Sequence, residues 1–224
     1  MRRLVPAGAR TVPTTPWSAS GSRWRARPLT LAVLVGGLWI FGTGEAAMVD
    51  AGIGVSPWTV LAQGIGERIG ISVGAATFLC SALVLLGWIV LRERPGLGTL
   101  ANAVVIAIAI DAMRPVLPDP QSAPLQLLQV LLGIAAIGVG SGLYLTANLG
   151  PGPRDGLMTG LHRRLGVPVG RVRLGIEVTV LSAGWLLGGT VGAGTALFAL
   201  LVGYAVSLGL AGAAAAAGER QTAA

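Results

Sequence analysis

The chain has 224 residues, 53% of them hydrophobic and 11% charged, with a mean hydropathy of +0.75. That balance lies outside the range of soluble globular domains and points to a bilayer protein. The net charge of +7 comes from arginines alone, with no lysine, set in short clusters between apolar runs; it reads as a topology signal and argues against nucleic acid.

Residues 1–28 carry Arg2, Arg3, Arg10, Arg23, Arg25 and Arg27 among Pro, Ser and Thr. Such a stretch buries too little apolar surface to order itself, so a flexible cytoplasmic tail is expected. A basic start, an apolar stretch from Leu29 and small residues near Gly44-Glu45-Ala46 also fit a cleaved signal peptide, against which the repeat described below argues. The first span is expected over 29–48. A Gly54-x-x-Pro57 break follows, then a short segment with Leu61, Ile65 and Ile69 on one stripe. Spans over 72–91 and 99–117 complete the first unit, residues 29–117, with Gly96-x-Gly98-Thr99 turning the chain between them.

After a linker at 118–124 the same order returns over 125–214, with spans at 125–147, 168–187 and 195–213 and a short tail at 215–224. The uncharged runs 69–91, 120–153 and 178–218 each exceed the roughly 20 residues a helix needs to cross a bilayer. In the second unit Gly150, Gly152 and Pro153 stop the preceding helix, because Pro lacks the donor and Gly frees the backbone. Leu157, Leu161 and Leu165 then recur at every fourth position, giving an amphipathic helix too short to span.

The two units superimpose without a gap at an offset of 96 residues, as in Gly54 on Gly150, Pro57 on Pro153 and Leu61 on Leu157. Arg68 and Gly70 meet Arg164 and Gly166, and Gly96-x-Gly98-Thr99 meets Gly192-x-Gly194-Thr195. Three spans per unit is an odd number, so the second copy enters the membrane from the opposite side. The expected fold is therefore an all-α polytopic membrane helical bundle: six transmembrane helices as two inverted three-helix repeats, each with a short broken amphipathic or re-entrant helix. With both termini in the cytoplasm, 14 of the 16 arginines lie inside, leaving only Arg68 and Arg114 outside. That bias matches the positive-inside rule and a multi-pass membrane protein with both termini in the cytoplasm.

Within the second unit, Gly152-Pro153-Arg154-Asp155-Gly156-Leu157, Val172-Arg173 with Ile176-Glu177, Gly184-Trp185-Leu186-Leu187-Gly188-Gly189 and Gly192-x-Gly194-Thr195 stand close together. This region, dense over 138–205, resembles the YczE-like members of the YczE/YyaS/YitT group of bacterial integral membrane proteins. In the first unit Gly54-Val55-Ser56-Pro57-Trp58 resembles a degenerate upstream copy. The resemblance implies a multi-span inner-membrane protein and no particular substrate.

Arg173 and Glu177 lie one helical turn apart and can pair. An ionisable group about ten residues into a span is costly without a partner or water, so Glu177 reads either as a substrate- or ion-coupling carboxylate or as half of a structural ion pair. Arg154 and Asp155 stand at the mouth of the same expected vestibule. Glu45 either faces a central cavity or, as the favoured expectation, reaches outer water at the end of its span. Asp50 is expected to meet solvent, Asp111 to pair with Arg114 at i+3, and Asn102 and Asn148 to bond helix to helix. His162, Arg163, Arg164 and Arg171 are read as orientation signals that meet anionic lipid headgroups.

With Cys80 and His162 the only residues of their kinds, intrachain disulfides are excluded, and metal clusters and a Ser-His-Asp triad lose their footing. No metal, cofactor, enzymatic activity or nucleic-acid partner is expected. The leading functional expectation is a transporter or exporter of a small solute, with Glu45, Arg154, Asp155, Arg173 and Glu177 lining a site between the repeats. The alternative is a non-transporting scaffold or regulator whose Arg-rich cytoplasmic face docks a partner or anionic lipid. A hydrated cavity reaching Glu177 would favour transport; a close-packed interior would favour the scaffold.

Overall fold

Proline and glycine punctuate the helices. In a computed structural model, which describes residues 12–218, Pro28, Pro57, Pro124 and Pro153 sit in the first turns of four helices, where their missing N–H costs nothing. Gly52, Gly70 and Gly166 end three helices in the left-handed conformation. Eight helices result among the described residues: α1 (Pro28–Ala51), α2 (Pro57–Ile69), α3 (Val73–Leu91), α4 (Leu97–Met113), α5 (Ala123–Thr146), α6 (Pro153–Leu165), α7 (Val169–Leu186) and α8 (Ala193–Ala216). No strand occurs among those residues.

Four helices, α1, α3, α5 and α8, are long and apolar enough to cross a membrane. The molecule is thus a membrane helical bundle. Of the other two expected spans, α4 is apolar but has only 17 residues, and α7 carries Arg171, Arg173 and Glu177 within its 18. The 96-residue offset reappears in the helix starts, with α2, α3 and α4 beginning 96 residues before α6, α7 and α8.

Close packing follows small residues, which let helix backbones approach. On α1 and α5, a Cβ built on Gly140 would stand 2.5 Å from the Gly37 oxygen, and one on Gly44 the same distance from the Gly133 oxygen. Gly138 and Gly142 of α5 seat Ala205 and Gly209 of α8 in the same way. Exchanging the halves maps most pairings onto one another: α1 with α4 becomes α5 with α8, and α2 with α7 becomes α6 with α3. The short helix of each unit therefore packs on the other unit. Two pairings break the pattern: α3 packs along α4 while α7 and α8 barely touch, and the slight contact of α4 with α6 has no comparable counterpart between α8 and α2.

The two breaks dock reciprocally on the two Gly-x-Gly-Thr turns. Gly98 N–H donates to the Leu149 carbonyl (2.9 Å) and Gly194 N–H to that of Ile53 (2.8 Å), bonds between equivalent positions. Gly54 and Gly150 have φ of +111° and +114°, and a side chain on either would strike the opposing turn, at Gly192 and Thr195 or at Gly96 and Thr99. The breaks thus have a structural reason independent of any ligand.

Several polar expectations are corrected. Asp111 does not pair with Arg114; it accepts from Ser72 Oγ (2.5 Å) and the Gly74 amide (2.8 Å) at the start of α3, where free N–H groups favour a carboxylate. Arg114 instead donates to Asp50 (2.8 Å), so Asp50 is an ion-pair partner and not a plain solvent contact. Asn148 bonds the Ala19 carbonyl (3.2 Å) rather than a neighbouring helix.

Residues 12–27, expected as part of a flexible tail, lie against the ends of α4 and α5. Trp17 Nε1 donates to Thr146 Oγ1 (3.0 Å), Ser18 Oγ to the Thr146 carbonyl (2.6 Å), and the Leu97 amide to the Arg23 carbonyl (3.0 Å). Arg2, Arg3, Arg10 and Arg220 lie outside the described residues. Trp17→Ala should loosen the segment that carries the exposed Arg23 and Arg25, raising the rate of tryptic cleavage after these two residues several-fold with little change in the melting temperature. An unchanged digestion pattern would refute this anchoring role.

Candidate functional site

All eight helices contribute to one cavity of about 250 Å³. Its 22 lining residues include eight pairs separated by 96 positions: Phe41/Ile137, Glu45/Ser141, Ser56/Gly152, Trp58/Arg154, Thr77/Arg173, Ser81/Glu177, Asn102/Phe198 and Ile106/Val202. The cavity therefore sits between matching surfaces of the two units. The pairs also show how its chemistry diverged: neutral Trp58, Thr77 and Ser81 face the charged Arg154, Arg173 and Glu177, whereas Glu45 faces Ser141.

Glu45, Arg154, Asp155, Arg173 and Glu177 all line this space. Glu45 is 1% exposed, so it does not reach outer water as favoured from sequence. It sits at the start of α2, where Ser56 Oγ donates to its carboxylate at 3.0 and 3.1 Å and Thr59 Oγ1 at 2.7 Å. A carboxylate hydrogen-bonded at a helix N-terminus also meets the favourable end of the helix dipole. The distant Pro57 break brings those donors to it, which no local pattern in α1 reveals.

Asp155 lies in the first turn of α6, deep in the molecule yet accessible from the cavity, and accepts from Tyr144 Oη at 3.2 Å. Arg154, its neighbour, stacks its guanidinium carbon 5.0 Å above the Trp58 ring. Such stacking holds the flat face by cation–π attraction and leaves the N–H edge free. Arg154 has no hydrogen-bond acceptor among the described residues; its electrostatic neighbours are Glu45 and Asp155. Arg173 and Glu177 form the expected pair, Nε to Oε1 at 2.8 Å. Glu177 lines the cavity while paired to Arg173.

Asn102, expected as interhelical glue, lines the cavity beside Gly152. Tyr144, Trp58, Ser56 and Thr59 were not singled out as site residues. The one sequence signal for Trp58 was its alignment with Arg154 across the repeat. Gly54, Pro57, Gly150 and Pro153 do not line the cavity except for Pro57; with Gly152, which does, they set where α2 and α6 begin.

Arg163 and Arg164 lie elsewhere, on a surface depression shared with Arg23, Arg92, Arg94 and Glu93. Arg163 pairs with Glu93, and Arg164 donates to the Val90 carbonyl (2.8 Å). Arg171 is exposed outside this depression. His162 Nδ1 lies 2.6 Å from the Val167 carbonyl, closing the end of α6.

Residues 29–209 match the model of a family of unknown function, DUF6198. The chain is 42% identical to an uncharacterized protein of Haemophilus influenzae, covering 88% of this chain and 90% of that one. It is 35% identical to the uncharacterized membrane protein YczE of Bacillus subtilis, covering 78% and 82%, and 30% identical to the uncharacterized protein YyaS of the same species over 54% and 62%. No solved structure matches it. The repeat, the breaks and the family match agree: this chain belongs to the DUF6198 family and is a YczE-like membrane protein.

Proposed function

We propose that the protein is a transporter or exporter of a small solute, built as six spans in two inverted repeats, in the bacterial inner membrane with both termini in the cytoplasm. The observation that carries this reading is the cavity lined by eight residue pairs from equivalent positions. A site between repeats of opposite orientation is where alternating access is achieved, because the two halves can exchange roles around a fixed ligand.

The unequal closure of the halves supports the same reading. Where α3 meets α4, a Cβ on Gly74 would fall 2.3 Å from the Ala107 oxygen and 2.5 Å from the Asp111 carboxyl. The equivalent positions on α7 and α8, Gly170 and Gly203, have nothing within 4 Å. In the proposed topology the sealed pair faces outside and the open pair the cytoplasm, so this is an inward-open state. Closing α7 onto α8 through Gly170 and Gly203 while α3 and α4 part would complete the cycle. No enzymatic step belongs to this reading.

The test compares metabolite pools in wild-type, deletion and Glu177→Gln cells at equal protein level. A shared change in uptake or export for deletion and variant is expected. Unaltered pools in the deletion strain would defeat transport, and a wild-type Glu177→Gln beside an altered deletion would remove Glu177 from the site. A second reading, docking of an anionic lipid or cytoplasmic partner, is favoured by the five arginines of the surface depression.

A further inference from the structure

The charges lining the cavity differ in how fully they are already committed. Glu45 is closed off and takes hydroxyl donors from Ser56 and Thr59. Glu177 and Arg173 satisfy one another at 2.8 Å. That leaves Arg154, whose guanidinium rests on Trp58 without a hydrogen-bond acceptor, and Asp155, the accessible carboxylate, whose side-chain partner is a neutral tyrosine hydroxyl. The Nε1–H of Trp58, a side chain 7% exposed, also lacks an acceptor.

A deep donor without an acceptor forfeits the energy of a hydrogen bond, and a deep charge without a partner forfeits more. One cation and one anion, near other charges but neither with a charged hydrogen-bond partner, call for a ligand carrying both signs. A simple anion would satisfy Arg154 but add net negative charge beside three carboxylates; a simple cation would leave Arg154 and the Trp58 N–H unmet. A zwitterion brings two charges and no net charge into the low-dielectric interior.

Of the remaining walls, Phe41, Ile106, Ile137, Phe198 and Val202 are apolar, while Thr77, Ser81, Asn102 and Ser141 add neutral polar groups. The volume of about 250 Å³ lies below the usual range for drug-sized ligands, so the occupant is small. We infer that the cavity takes a compact zwitterion of the amino-acid type, its anionic group in the fork of Arg154, its cationic group on Asp155 and an apolar side chain against Ile137, Phe198 and Val202. The planar guanidinium suits bidentate capture of a carboxylate. This assignment rests on the central cavity of the transport reading and names the chemistry of its solute.

The test titrates leucine, isocaproate and isoamylamine into the purified full-length protein in detergent, following heat of binding and melting temperature. The latter two share leucine's branched skeleton but lack its amine or its carboxylate. Leucine should bind saturably and each analogue at least ~10-fold more weakly. Arg154→Gln and Asp155→Asn should each weaken leucine by ~10-fold or more, Arg154→Lys by less, and the exposed Arg171→Gln not at all. Ligand-free melts establish that each variant is folded; should Arg154→Gln not fold, Arg154→Lys and Asp155→Asn carry the comparison. Equal binding of isocaproate and leucine would overturn the inference in favour of an anion site, and equal binding of isoamylamine in favour of a cation site. Failure of leucine, phenylalanine and glycine alike to bind would also overturn it. Leucine binding without flux in proteoliposomes would defeat transport and leave the zwitterion site standing; flux of a singly charged solute without leucine binding would do the reverse.

Discussion

Replacing Trp88 with alanine is expected to destabilise the bundle by about 3–5 kcal/mol, as truncation of a buried tryptophan does elsewhere. Trp88 is 2% exposed, and its indole fills the space left by Gly156, where an added Cβ would lie 1.9 Å from the ring. Its Nε1–H donates to the Pro153 carbonyl at 3.0 Å, fixing the first turn of α6, which carries Arg154 and Asp155. Trp88→Phe keeps much of the ring but loses that bond, and should cost less, about 1 kcal/mol from the hydrogen bond plus a small packing loss. Gly156→Ala should approach the larger figure, because a rigid indole on one side and helix backbone on the other leave little room to yield. Thermal melts in detergent separate these cases. A Trp88→Ala protein melting within a degree of wild type would contradict the role given to this contact.

Gly74 and Gly170 occupy equivalent positions and should respond in opposite ways to the same substitution. Gly74→Val places side-chain atoms against the backbone of α4, and overpacking of this kind costs about 1–3 kcal/mol or more. Gly170→Val meets open space and should melt within about 0.5 kcal/mol of wild type, since surface changes away from special features are small. If α7 must close on α8 through this point, the well-folded Gly170→Val protein should nonetheless lose most of its transport. Normal flux through a folded Gly170→Val protein would refute closure at Gly170. Normal stability of Gly74→Val would refute the seal between α3 and α4.

Much of the architecture was legible because it is written in covalent geometry and period. Pro57 and Pro153 start α2 and α6 where the missing amide makes them welcome, and the 96-residue offset survives in the helix starts. The pair Arg173 and Glu177 was legible for the same reason: one turn of helix fixes its geometry. Where a local rule competed with a distant partner, the distant partner prevailed. Asp111 lies three residues from Arg114 yet serves the start of α3, and Arg114 reaches Asp50 on α1. Glu45 sits near the end of its helix, as an interfacial residue would, but α2 folds its first turn over it. Residues 12–27 had too few apolar residues to order themselves; they are fixed by bonds to Thr146 at the C-terminal end of α5, a site that exists only after the bundle forms.

Sequence by itself determined the membrane class, the duplication, the breaks and the five charged residues that line one cavity, because hydrophobic run length, backbone restriction and the cost of intramembrane charge are local properties. Tertiary structure alone decided which charges are satisfied. It stacked Arg154 on Trp58, enclosed Glu45 among hydroxyls, sealed α3 to α4 and left α7 apart from α8. Those outcomes depend on the approach of helices far apart in the chain, set by glycine contacts whose partners no single segment specifies.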